Sequence, residues 1–206
     1  MPAPLAALVD LWRAHPIGGV DRIAVPPPVR AYFLAGLALE ARGPLLAIVP
    51  GEVDAEELTE DLELFTESTA LLPAWETLPF EHISPNLGTM AARAEARHAL
   101  RTAGGGTVVV ASVRAAIQRV ASAPVEPVAV TEGEHIDFDR LVDHLSGLGY
   151  ERTHRVEGRG QFSVRGGIVD VYPGQARSAV RIDVWGDTVS EITENALPLN
   201  TSRADM

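Results

Sequence analysis

Neither cysteine nor lysine occurs in this sequence, and all 17 basic residues are arginine. Without cysteine there is no disulfide framework and no thiolate zinc site, so an intracellular, cytoplasmic location is the plainer reading. Without lysine there is no P-loop amine to reach the β- and γ-phosphates of a nucleotide, and no Schiff-base chemistry. No apolar run approaches the roughly 18 to 20 residues that span a bilayer, which argues against a membrane protein. The N-terminus, MPAPLAALVDLWRAHP, lacks a basic start and is interrupted by Asp10, so it does not read as a signal peptide.

What is present is a chain of 206 residues with 46% hydrophobic and 22% charged residues, the balance of a soluble globular protein with room for two domains. A net charge of -11 argues against a general nucleic-acid-binding domain, because non-specific affinity for nucleic acid is built mostly from phosphate neutralisation. The charge is uneven. Glu52 to Glu67 is acidic throughout, whereas Arg152, Arg155, Arg159, Arg165, Arg177 and Arg181 crowd into one later stretch against Glu157 and Asp170. An anionic partner would meet that stretch.

The first part, to Glu126, alternates helical and strand patterns. Leu5, Leu8, Val9 and Trp12 recur at helical spacing up to Pro16, and Val29 to Arg42 reads as a second helix. Leu45 to Pro50 is a short apolar run of the kind buried on both faces. Leu58, Leu62 and Phe65 then mark one face of an acidic helix. Leu71 leads through a proline-broken loop to a helix at Thr89 to Arg101, the Gly104–Gly106 turn, a strand at Val108 to Ala111, and a helix capped by Ser112 and running through Val120. This alternation predicts an α/β layer with a mainly parallel sheet over residues 1–126. Prolines at 124 and 127 mark a boundary. Over 127–206 the pattern predicts a small α+β domain with an antiparallel sheet: a strand at Val128 to Val130, a helix from Asp137 to Leu148, then strands at Tyr150 to Val156, Gln161 to Tyr172, Val180 to Trp185 and Thr188 to Thr193.

Few constellations carry chemistry. The glycine clusters at Gly18-Gly19 and Gly104–Gly106 lack both lysine and G-x-G-x-x-G spacing, so they read as turns and no cofactor is expected. The six histidines form no H-E-x-x-H or comparable pair, so no metal is expected. No G-x-S-x-G elbow is present. The arginine region is more specific, since the planar guanidinium pairs bidentately with carboxylates and is enriched with aromatics at binding hot spots. As one regular strand, Gln161 to Tyr172 would place Phe162, Val164, Gly166, Ile168, Asp170 and Tyr172 on one face. Ser163, Arg165, Gly167, Val169 and Val171 would take the other. From chemistry alone, docking through Arg165 and Phe162 stands even with a solvated arginine beside a core phenylalanine.

The blocks WETLPFEHISPN (Trp75 to Asn86), VVVASVRAAIQRV (Val108 to Val120) and YERTHRVEGRGQFSVRGGIVDVYPG (Tyr150 to Gly174), followed by VRIDVWGD, resemble in order and spacing the N-terminal region of Mfd, the bacterial transcription-repair coupling factor family. The same blocks are similar to UvrB. UvrB, however, opens with a Walker A loop and carries a DNA-gripping hairpin, and this chain has neither. The W-E-T-L-P block is of the Mfd type. The resemblance implies a degenerate helicase-like (RecA-like remnant) domain without ATPase motifs, joined to a smaller domain that recruits the damage sensor UvrA. It implies UvrA contacts at Arg152 and Arg165, with Ser163 replacing a third family arginine and with Phe162, Arg155, Arg159 and Tyr172 as supporting contacts.

The resemblance also implies that intact relatives are ATP-driven DNA translocases, which reach RNA polymerase and DNA through domains absent from this chain. The end, ENALPLNTSRADM, does not look like the family's continuation. A first domain lacking its returning half would expose apolar surface. The expected function is a non-catalytic recruitment module. The rivals are a direct DNA-binding module, a UvrB-type fragment, and residual nucleotide hydrolysis.

Overall fold

The computed structural model describes residues 23–77, 84–120, 126–174 and 176–195, with Asp10 and Glu81. The expected helix around Leu5 to Trp12 lies outside these residues except for Asp10. Chain contacts divide the molecule into two compact units, Met1–Pro124 and Val125–Met206.

The first unit is built on a three-stranded parallel sheet of β1 (Leu45–Val49), β2 (Thr69–Leu72) and β3 (Val108–Ser112), with β3 in the centre. Parallel strands need long crossovers, and α1 (Arg30–Glu40), α2 (Glu52–Glu63), α3 (Leu87–Thr102) and α4 (Val113–Ile117) accompany the strands. The sequence VVVAS suits β3 to its place, since all five of its residues are buried. On one face Val108 and Val110 pack with Ala31, Ala35 and Ala38 of α1 and with Ala55 and Leu62 of α2, small residues that let the helices approach closely. On the other face Val109 and Ala111 pack with Ala96 of α3 and Ala115 of α4.

Three expectations for this unit are corrected. β1 is an edge strand whose second face is only partly covered by the described residues: Leu46 and Ile48 point away from the α1–α2 layer and are 43% and 54% exposed. An apolar run alone cannot separate an edge strand from a central one. The helix expected at Val29 to Arg42 begins at Arg30, after a 3-10 turn at Pro27–Val29, and ends at Glu40. Ser112 does cap α4, its hydroxyl accepting from the Ala115 N–H at 2.9 Å, but the helix stops at Ile117. The Gly104–Gly106 segment is a turn held tightly against α1. A Cβ on Gly105 would lie 2.1 Å from the Ala41 carbonyl oxygen, so close packing accounts for the glycine there.

The second unit is a five-stranded sheet in the order β4 (Glu151–Arg152), β5 (Gln161–Arg165), β6 (Ile168–Val171), β7 (Ala179–Trp185) and β8 (Thr188–Asn195). β4 pairs in parallel with β5 and the remaining pairs are antiparallel, so the sheet is mixed. Helix α5 (Phe138–Gly147), capped by the Asp137 carboxylate on the Arg140 N–H at 3.0 Å, lays Leu141 and Leu145 on Phe162, Val169, Val171 and Ile182. The fold is thus an α/β layer with a parallel sheet followed by a smaller α+β domain.

Here too the structure departs from expectation. Val128 and Val130 pack against the core but form no strand. The segment that follows runs along β8, with Gly133 N–H donating to the Val189 carbonyl and Val189 N–H to the Glu134 carbonyl. Tyr150 to Val156 contributes only the two residues of β4. Gln161 to Tyr172 is a hairpin rather than one strand, turning at Gly166-Gly167 with Arg165 opposite Ile168. Gly166 has a φ of +60°, and a Cβ on Gly167 would lie 2.3 Å from the Val184 carbonyl oxygen, so neither position suits a side chain. Among the described residues no helix is long and apolar enough to cross a membrane.

Candidate protein-docking site

In an open α/β sheet, ligands bind at the carboxyl ends of the strands. In the first unit the chain's own side chains close that end. Only Pro50 and Gly51 separate β1 from α2, too few for a phosphate loop, and the Gly51 N–H donates to the Asp54 carboxylate at 2.9 Å. Glu52 reaches across the strand ends to accept from the Ala74 N–H at 3.2 Å and from the Ser112 hydroxyl. Beside it Arg93, 2% exposed, stacks on Trp75 with its guanidinium carbon 4.5 Å from the ring centroid. Arg93 also donates to the Pro73 carbonyl at 2.5 Å. Burial, with Arg97 nearby, lowers the Arg93 pKa from its ordinary value, and Glu52 opposes the shift. Among the described residues no group of three His, Asp or Glu side chains is placed to hold a metal ion.

The second unit places its arginines in different settings. Register determines which face each residue occupies, because residues paired across antiparallel strands share a face. Phe162 and Val164 lie opposite Val171 and Val169, and this face carries α5. Ser163 opposes Asp170, which in turn opposes Arg181; Arg165 opposes Ile168, which opposes Asp183. The two-residue turn therefore puts Arg165 with Ile168 and Asp170, and not with Val169 and Val171 as a continuous strand would have it.

The middle of this second face is closed. Arg181 grips Asp170 bidentately, Nε to Oδ1 at 2.7 Å and Nη2 to Oδ2 at 2.9 Å, with both side chains largely buried. Hydrogen bonding to that carboxylate raises the Arg181 pKa further, so Arg181 is a structural cation. Ser163 is 2% exposed and offers a partner no surface.

The expected contact residues separate into three groups. Phe162 is corrected: it has no exposed surface and belongs to the core beneath α5. Three others make contacts within the chain. Arg155 is half-buried, its Nε 3.9 Å from Glu157 and without a hydrogen-bond partner among the described residues. Arg159 lies over the Tyr172 ring at 5.8 Å and donates to the Ala176 carbonyl at 3.2 Å. The Tyr172 hydroxyl donates to the Arg177 carbonyl at 3.2 Å. Arg152 and Arg165 remain. Arg152 is exposed on β4, opposite Phe162 in the ladder, with no partner for its guanidinium among the described residues. Tyr150, whose phenol pKa is raised by burial, packs into the core two residues before it and fixes the start of β4. Arg165 is exposed at the hairpin end and donates to the His154 carbonyl, just beyond β4. Arg152 and Arg165, both exposed, thus lie on β4 and β5, the first two strands at one edge of the sheet; Arg140, Arg159 and Arg177 are exposed elsewhere in the unit.

One further side chain at this end was not singled out from the sequence. Trp185, 85% exposed, ends β7 two residues beyond Asp183. A tryptophan within a strand pattern reads as core. The signal that could have found it is the hydrophobic alternation of Val180, Ile182 and Val184, which turns Trp185 outward.

Residues 128–203 match the family model described as the UvrB interaction domain. Over 92% of its length the chain is similar to the transcription-repair-coupling factor of Mycobacterium tuberculosis, at 35% identity over 207 residues, covering 17% of that protein. The same factor from Bacillus subtilis is 34% identical over 170 residues, 79% of this chain and 14% of that protein. The UvrABC system protein B of Thermosipho africanus is 35% identical over 60 residues, 29% of this chain and 9% of that protein. The chain thus spans less than a fifth of the length of these relatives. Residues 128–203 thus resemble the UvrB interaction domain, and the chain resembles the transcription-repair-coupling factor (Mfd) family.

Proposed function

We propose that this chain is a non-catalytic recruitment module that docks on UvrA, linking stalled transcription to nucleotide excision repair. The observation that carries the reading is the pair of exposed arginines, Arg152 and Arg165, near one edge of the sheet in the stretch that matches the UvrB interaction domain, where Arg181 on the central sheet face is internally paired. The plugged strand ends of the first unit support a scaffold in place of a nucleotide site. Each arginine, desolvated against a carboxylate of the partner, would contribute on the order of 2 kcal/mol. The test is co-purification with UvrA. The Arg152→Ala, Arg165→Ala double variant should lose the complex while its thermal unfolding stays unchanged, and undiminished capture would sink the assignment.

A further inference from the structure

Among the described residues of the second unit, no helix lies over the sheet face bearing Arg165, Ile168, Asp183 and Trp185, since α5 packs on the opposite face. Trp185 is 85% exposed, the most exposed of the large hydrophobic residues in the described part of the chain. Its neighbour across the sheet is the Gly166-Gly167 turn, joined to β7 by the Val184 N–H donating to the Gly167 carbonyl at 2.7 Å. That turn carries no side chains, and a Cβ at Gly167 would strike the Val184 carbonyl, so nothing on the adjoining hairpin covers the indole. The Trp185 backbone is held on a paired strand, opposite Thr188 in the ladder, so no main-chain ordering remains to be done on binding. An exposed tryptophan on the same sheet face as an exposed arginine is the composition of an interface hot spot. Of the nearby carboxylates, Asp170 pairs with Arg181 and the exposed Asp187 lies 3.3 Å from His135, while Asp183 and Glu191 share the face through the ladder, Asp183 acting on Arg181. The patch therefore presents an apolar ring with Arg165 on one side of it and carboxylates on the other.

We propose that Trp185 is the apolar anchor of the docking face, inserting into an apolar pocket of the UvrA surface whose rim supplies the carboxylate for Arg165. This rests on the recruitment reading and adds a contact to it. The choice of a protein partner follows from the charge: a chain of net -11, with Asp183 and Glu191 on this same face, repels a polyanion, whereas an apolar pocket with one carboxylate set against Arg165 is matched by the ring and the arginine.

The experiment measures UvrA affinity of the full 206-residue chain by titration calorimetry. Trp185→Ala should weaken binding by about tenfold or more and Trp185→Phe should recover most of it, both with the wild-type melting temperature. If the arginine double variant loses binding while Trp185→Ala binds as the unaltered chain does, the anchor is overturned and recruitment stands. If the unaltered chain does not bind UvrA, both fall. Self-association or single-stranded oligonucleotide binding that depends on Trp185, with UvrA affinity unaffected by its loss, would also overturn the anchor.

Discussion

Each unit of this molecule sets an arginine and a tryptophan in its structure, with opposite outcomes. In the first unit Arg93 lies flat on Trp75, 2% exposed, and ties the loop after β2 to α3 through the Pro73 carbonyl. In the second unit Trp185 stands 85% exposed, and Arg165 shares its face with a single hydrogen bond to the His154 backbone. Composition cannot distinguish these cases. What does is whether the fold encloses the side chain: Arg93 is buried between Trp75 and the Pro73 carbonyl, whereas Arg165, with one bond to a backbone carbonyl, and Trp185, beside a glycine turn, stay exposed. Internal pairing yields stability and availability yields recognition, so substitutions in the two units should separate those properties.

The largest effect is expected at Phe162. Replacing it with alanine empties a fully buried site under α5 and should cost about 4 kcal/mol, read by denaturant unfolding, with UvrA binding lost only because the domain unfolds. Asp170→Ala comes next, at about 3 kcal/mol, because it leaves the Arg181 guanidinium buried without its carboxylate. A smaller loss would mean that the pair is more open to water than its geometry indicates. Arg93→Ala should destabilise the first unit by about 2 kcal/mol, through the lost stack on Trp75 and the lost bond to Pro73, and should leave UvrA affinity unchanged. Arg165→Ala should give the reverse: within about 0.5 kcal/mol of wild type in stability, but weaker in binding. If Arg93→Ala weakened binding, or Arg165→Ala unfolded the domain, the contrast between the units would break.

Much of the fold was legible because its signals are local. The VVVAS run marks the central strand, Ser112 and Asp137 mark helix starts, and the change of period after residue 126 marks the change from a parallel to a mixed sheet. The Gly166-Gly167 turn was also legible in principle, as Gly-Gly between alternating apolar residues is a hairpin signal. Reading across it as one strand placed Arg165 with the wrong neighbours. Other features depend on contacts distant in sequence. Edge and centre strands look alike as apolar runs, so the exposure of Leu46 and Ile48 came only with the strand order. The internal engagement of Arg93 and of Arg181 depends on which residue lies across the sheet or loop, which spacing does not encode. For the candidate site, resemblance supplied Arg152 and Arg165, and structure separated them from Phe162 and the internally paired residues.

The most direct test of recruitment is the dissociation constant of the full chain for UvrA, measured for the unaltered protein and for the Arg152→Ala, Arg165→Ala variant. Measurable binding by the first and none by the second, at equal thermal stability, is the expected result. Equal affinities would contradict the account.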